Sequence, residues 1–80
     1  MQRFGEKLRI LRQRSDLSIR ELARELGYQG SGYLHAIETG KITPRVDFML
    51  KVSQRFGVPL DLLARDDLHL PDEAPREQPE

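Results

Sequence analysis

The chain contains no cysteine and no tryptophan. Without thiols, neither a disulfide nor a cysteine-held zinc can staple the fold, so 80 residues must be stabilised by packing alone, near the lower size limit for one domain. The same lack removes the thiol nucleophile, and the two histidines, His35 and His69, show no spacing that suits a catalytic triad or a metal site. Gly27, Gly30 and Gly32 form a G-x-x-G-x-G run, but no strand pattern precedes it, so it reads as turn flexibility and not as a phosphate cradle. No apolar run is long enough to cross a bilayer, no signal-peptide pattern is present, and no internal repeat of roughly 20–50 residues is visible. These absences argue against an enzyme, a cofactor, a bound metal, a small-molecule substrate and a membrane partner, and lead to the expectation of a soluble, cytoplasmic protein.

Net charge is also missing, though only in the sum. Residues 1–65 hold twelve Lys and Arg against seven Asp and Glu, whereas residues 66–80 hold one Arg against six acids. The zero is therefore a basic domain of net +5 followed by an acidic tail of net −5. A basic surface suits a polyanion, although helical domains also carry a modest basic excess for solubility. The final stretch, Asp66 to Glu80, has three prolines and two leucines, too little apolar surface to order itself, and residues 71–80 are expected to form a flexible tail. Leu68 and Leu70 are candidates for folding back or for an intersubunit contact. The tail is also a candidate competitor with a polyanion for the basic face.

What remains is helical punctuation. Phe4, Leu8 and Leu11 recur at i, i+4 and i+7, which predicts a helix over residues 4–15 with Lys7, Arg9 and Arg14 on its polar side and Arg12 near its seam. Ser18 with Glu21 three residues on is a capping box, and Leu17 with Leu22 a hydrophobic staple, opening a second helix that Gly27 ends. Tyr33, Leu34 and Ile37 mark a third, closed by Thr39-Gly40. Pro44 precedes a fourth whose apolar stripe is Val46, Met49, Val52 or Ser53, and Phe56, and Pro59 opens a short fifth, Leu60 to Ala64. Two short helices around a glycine-containing turn match a helix-turn-helix.

The run of Leu17-Ser18, Glu21-Leu22-Ala23, Leu26-Gly27, Tyr33-Leu34, Ile37-Glu38, Gly40-Lys41, Pro44 and Phe56-Gly57-Val58 with Leu60-Asp61 resembles the phage-repressor and Cro-like helix-turn-helix family, also called XRE. The resemblance covers about residues 4–65. It implies an all-α, five-helix lambda-repressor-like DNA-binding domain over residues 1–65, with residues 66–80 as the tail. It also implies a transcriptional regulator that binds double-stranded DNA as a homodimer, its third helix in the major groove.

Carried over position by position, the base-facing sites fall on Ser31, Gly32, His35 and Ala36, and the phosphate-gripping sites on Ile19, Tyr33, Lys41, Thr43 and Arg45. Arg20 and Arg24 lie on the side a duplex approaches, and Arg12 and Glu38 match a structural pair. Ile19 departs from the Gln common in the family, and the third helix lacks Gln, Arg and Asn base readers, leaving Ser31 and His35 as its outward polar groups. The turn is also one residue longer, with Gly30 or Ser31 as N-cap. That extra length offers Gln29 and Tyr28 to DNA or is absorbed by the loop, the latter being favoured for Tyr28. With no heptad run, a dimer surface would come from the last helix and Leu62, Leu68 or Leu70. The scarcity of base readers supports a second reading, a protein-interaction module on the same fold.

Overall fold

The computed structural model describes residues 3–67 and residue 70. Local chemistry marks most of its helix ends. Five helices are present, α1 (Phe4–Arg14), α2 (Ile19–Glu25), α3 (Gly32–Glu38), α4 (Val46–Phe56) and α5 (Leu60–Ala64), and the described residues contain no strand. At the start of α2 the capping box is complete: the Ser18 hydroxyl accepts from the Glu21 backbone N–H at 3.0 Å, and the Glu21 carboxylate accepts from the Ser18 N–H at 2.8 Å. The bond from the Ser18 N–H, with a smaller contribution from its hydroxyl, holds the Glu21 carboxyl below its ordinary pKa.

Four helix ends share one device. After α2, Gly27 is left-handed at φ +93°, Gly27 N–H donates to the Arg24 carbonyl at 3.1 Å and Tyr28 N–H to the Ala23 carbonyl at 2.9 Å, which is a Schellman motif. The 6→1 bond recurs after α1, α3 and α4, from Leu17 N–H to the Arg12 carbonyl, from Lys41 N–H to the Ala36 carbonyl and from Val58 N–H to the Ser53 carbonyl. Three of the left-handed positions hold glycine. The fourth holds Asp16 at φ +62°, where its Cβ is strained and its charge sits at the negative end of α1.

One core joins these elements. Phe4, Leu8, Leu22, Leu34, Ile37, Phe48, Val52 and Leu63 are all but fully buried, and α1 packs on both α3 and α5, α2 on α3 and α4 on α5. Of the glycines, Gly5 alone is packed against another helix. A Cβ there would lie 2.1 Å from the Ile37 carbonyl oxygen, so α1 and α3 cross with no room for a side chain.

Two sequence expectations change. Lys7, placed on the polar side of α1, is 0% exposed. It lies on the Phe4-Leu8-Leu11 face at helical spacing, its stem fills the core, and its ammonium donates to the Leu62 and Arg65 carbonyls, both at 2.6 Å, at the negative end of α5. The stripe of α4 is also rotated. Val46 is 63% exposed, and Phe48 takes the buried place beside Met49 and Val52. The larger ring is drawn in by aromatic neighbours: its centroid lies 5.2 Å from Tyr33, 5.9 Å from Tyr28 and 6.2 Å from Phe4.

The C-terminal side is built into the same body. Leu70 is 2% exposed within the core, and Asp66 Oδ1 accepts from the Arg3 backbone N–H at 2.8 Å. Leu68 and the expected flexible segment 71–80 lie outside the described residues.

Candidate nucleic-acid interface

Two short helices and the loops at their ends form the site. The Schellman turn at Gly27 reverses the chain, and the loop Gln29-Gly30-Ser31 leads it into α3. Ser31 stands at the N-cap position without a side-chain capping bond, so its hydroxyl is not taken up by its own helix. Tyr28 does not point into an open turn. It is half-buried, stacks on Tyr33 at 5.4 Å, meets the edge of Phe48 and carries the Lys51 ammonium 5.0 Å above its ring, while burial, more than the neighbouring Tyr33, pushes its hydroxyl pKa up. The extra turn residue is thus absorbed by packing on Tyr28, whereas Gln29 is exposed.

On α3, Leu34 and Ile37 enter the core, Gly32 and His35 are exposed, and Ala36 is half-buried. His35 shares an open groove of about 420 Å³ with Arg9, Ile19, Thr39 and the Arg12-Glu38 pair. The Thr39 hydroxyl donates back to the His35 and Ala36 carbonyls at 2.9 and 3.3 Å, so its proton is committed. The sequence places Arg9 on the polar side of α1 without a binding role; its position three residues before Arg12, one helical step round α1, is the signal that both reach the same groove.

The Tyr33 hydroxyl accepts from the Arg45 backbone N–H at 3.2 Å, which ties the α3–α4 loop to the start of α3. Lys41, Thr43 and Arg45 are exposed on that loop, and Arg20 and Arg24 lie one turn apart on the exposed side of α2. Beneath them the Arg12 guanidinium donates to both Glu38 carboxylate oxygens at 2.8 and 3.1 Å and to the Leu17 carbonyl at 2.9 Å. That one fork holds the end of α3 and the entrance of α2 against α1, and the Glu38 hydrogen bond, outweighing burial, raises the Arg12 pKa further.

The cations of the domain therefore fall into two groups. Arg3, Lys7, Arg12, Lys51, Arg55 and Arg65 are engaged by carboxylates, carbonyls or a ring within the fold. Arg9, Arg14, Arg20, Arg24, Lys41 and Arg45 are exposed, and among the described residues none of their side chains forms an ion pair. All four basic residues expected to face a duplex belong to the second group. Residues 3–65 match the family model described as a helix-turn-helix domain.

The chain belongs to the helix-turn-helix domain family. No curated protein and no solved structure matches it significantly. Family membership agrees with the five-helix, all-α architecture and points to DNA as the class of ligand. Among the described residues of this helix-turn-helix protein, no helix is long and apolar enough to cross a membrane, and no group of His, Asp and Glu is arranged to hold a metal ion.

Proposed function

We propose that this helix-turn-helix protein is a sequence-specific regulator of transcription that binds double-stranded DNA with α3 in the major groove. The observation that carries this reading is the set of exposed cations left unpaired within the domain around α2 and the α3–α4 loop. Exposed guanidinium and ammonium groups that stabilise nothing internally are available to neutralise phosphates, and such contacts set the register of a recognition helix. In this reading Arg20, Arg24, Lys41, Thr43 and Arg45 grip the backbone. Tyr33 holds the loop that presents Arg45, and Gln29, Ser31, Gly32, His35 and Ala36 meet base edges. Gly32 and Ala36 bring no hydrogen-bonding side chain, so direct readout falls on Gln29, Ser31 and His35.

Two subunits presenting recognition helices about 34 Å apart would supply the remaining specificity. Leu70, a candidate for their contact, is consumed inside its own subunit, and Leu62 is partly buried against the core. Val46 and Leu50, 63% and 44% exposed and one turn apart on α4, are large apolar side chains open to a partner, as is Ile42 on the α3–α4 loop. A cytoplasmic location follows from the same reading. The two residues on α4 also favour the alternative, a module that binds protein through that helix.

Selection from a random duplex pool, followed by titration across salt, separates the two. DNA recognition predicts enrichment of a short, palindromic site and a log–log salt slope steepened by about 0.9 for each phosphate contacted. Lys41→Ala with Arg45→Ala should weaken all duplexes alike and flatten that slope by about 2, whereas His35→Ala should change which sequence is preferred. No enrichment with a flat salt dependence favours the protein-binding module.

A further inference from the structure

Two of the exposed cations that form no ion pair among the described residues, Arg9 and Arg14, lie on α1, and the phosphate-gripping set above includes neither. They differ in where they stand. Arg9 lines the open groove of about 420 Å³ in which α1, the start of α2 and α3 meet, and Arg14 does not.

The groove has the chemistry of an anion seat. Its lining acid, Glu38, is bound through both carboxylate oxygens by Arg12, so the two together bring a neutral, largely buried pair. Acids on neighbouring turns are engaged elsewhere: Glu6, one turn before Arg9, pairs with Arg3, and Glu21 accepts from the Ser18 N–H. Asp16 is exposed beyond the end of α1 and is not a lining residue. The Thr39 proton is committed to backbone carbonyls. Among the described residues, the Arg9 guanidinium and the hydroxyl proton of Ser18, whose oxygen only accepts, remain to donate into the groove beside the His35 ring.

Charge alone does not choose the anion, but the wall beside it does. Ile19, half-buried, lines the same groove as these donors. A free inorganic ion gains nothing from an apolar wall, whereas a nucleic-acid strand alternates each phosphate with the weakly polar face of a sugar.

We propose that Arg9 is a further backbone-positioning residue, its guanidinium and the Ser18 hydroxyl gripping one duplex phosphate in this groove while Ile19 packs on the adjoining deoxyribose. The planar fork of guanidinium donors matches two phosphate oxygens. The contact adds α1 to the elements that set the register of α3, and it gives Ile19, where the family commonly has Gln, a use that needs no hydrogen bond. This contact rests on the DNA-binding reading above and deepens it.

Arg9 is exposed and forms no ion pair within the fold, so Arg9→Ala should leave the unfolding midpoint unchanged, and Arg14→Ala removes the same charge outside the groove. In titrations of a short mixed-sequence duplex across salt, Arg9→Ala should bind about three- to tenfold more weakly at about 0.1 M salt, with a log–log slope flatter by about 0.9. Arg9→Lys should keep the native slope, and Arg14→Ala should stay close to the native chain in both measures. An unchanged slope in Arg9→Ala, or an equal loss in Arg14→Ala, overturns the proposal and leaves the DNA-binding reading standing. A native chain that binds no duplex overturns both. The Arg9 Nε–H signal identifies the anion: it should shift on addition of duplex and not of inorganic phosphate at equal ionic strength. An equal response to inorganic phosphate overturns the sugar–phosphate assignment.

Discussion

Arg12 and Arg20 carry the same guanidinium eight residues apart, and the domain treats them oppositely. Arg12 is one of the fastenings on the packed side of α1, the back in this comparison, where α1 meets α3 and α5. There Gly5 abuts the Ile37 carbonyl, Lys7 closes the end of α5, and Arg12 ties Glu38 to the Leu17 carbonyl. Arg20 belongs to the front, with Arg24, Lys41 and Arg45, where cations stand in water and satisfy nothing inside the fold. The difference separates the two uses of positive charge in a small helical domain. At the back a cation replaces part of the core that 80 residues cannot supply, and at the front it is held ready for an outside anion.

Substitutions at the back should therefore change stability, and those at the front should not. The largest loss is expected for Gly5→Ala. Alanine is intrinsically better in a helix, yet the new Cβ would collide with backbone, and separating α1 from α3 should cost about 3 kcal/mol net in chemical denaturation. Arg12→Ala follows closely, at about 2–3 kcal/mol, because the Glu38 side chain, 6% exposed, loses the bidentate partner that offsets its desolvation. A double change to Arg12→Met with Glu38→Leu should recover much of that loss; failure to recover would mean that the pair orients the helices by more than mutual neutralisation. Asp16→Gly should raise stability by about 0.5–1 kcal/mol, since it relieves a left-handed side chain and a like-signed charge at the end of α1.

The capping box gives a pH-dependent effect. Because the Glu21 carboxyl titrates lower in the folded chain than in the unfolded one, its contribution is whole above the ordinary carboxylate pKa and fades as pH falls through the lower folded value. Acid titration of Glu21→Gln should show less loss across that window than the parent. Smallest of all should be Arg20→Ala with Arg24→Ala, within about 0.5 kcal/mol of the parent in stability though weakened in duplex binding. A stability loss as large as that of Arg12→Ala would erase the contrast between front and back.

Much of the frame was legible in the residues because its causes are local. Ser18 and Glu21 satisfy each other within one turn, and Gly27, Gly40 and Gly57 end helices through their own backbone freedom. The Arg12-Glu38 pair spans 26 positions, so no local rule reaches it; the family resemblance named it, and the coordinates give its geometry. At Lys7 polarity and helical phase point opposite ways, and phase wins. Spacing from Phe4 and Leu11 already put Lys7 on the buried face, but the carbonyls that satisfy it lie 55 and 58 residues away. Phe48 displaced Val46 for a similar reason, since the rings that attract it come from α1, the turn and α3. Among the site residues, Gln29, Gly32, His35, Lys41 and Arg45 are exposed and Ser31, Tyr33 and Ala36 half-buried, whereas the partial burial of Tyr28 comes from stacking that spacing alone does not specify.

By itself, then, the order of amino acids determined where each helix starts and stops, because capping, glycine reversal and apolar phase act within a few residues. Which charges are spent on the fold and which are left for a ligand was decided only in three dimensions. Pairing is a matter of distance between groups that the chain brings together from opposite ends, and only the packed domain sets that distance.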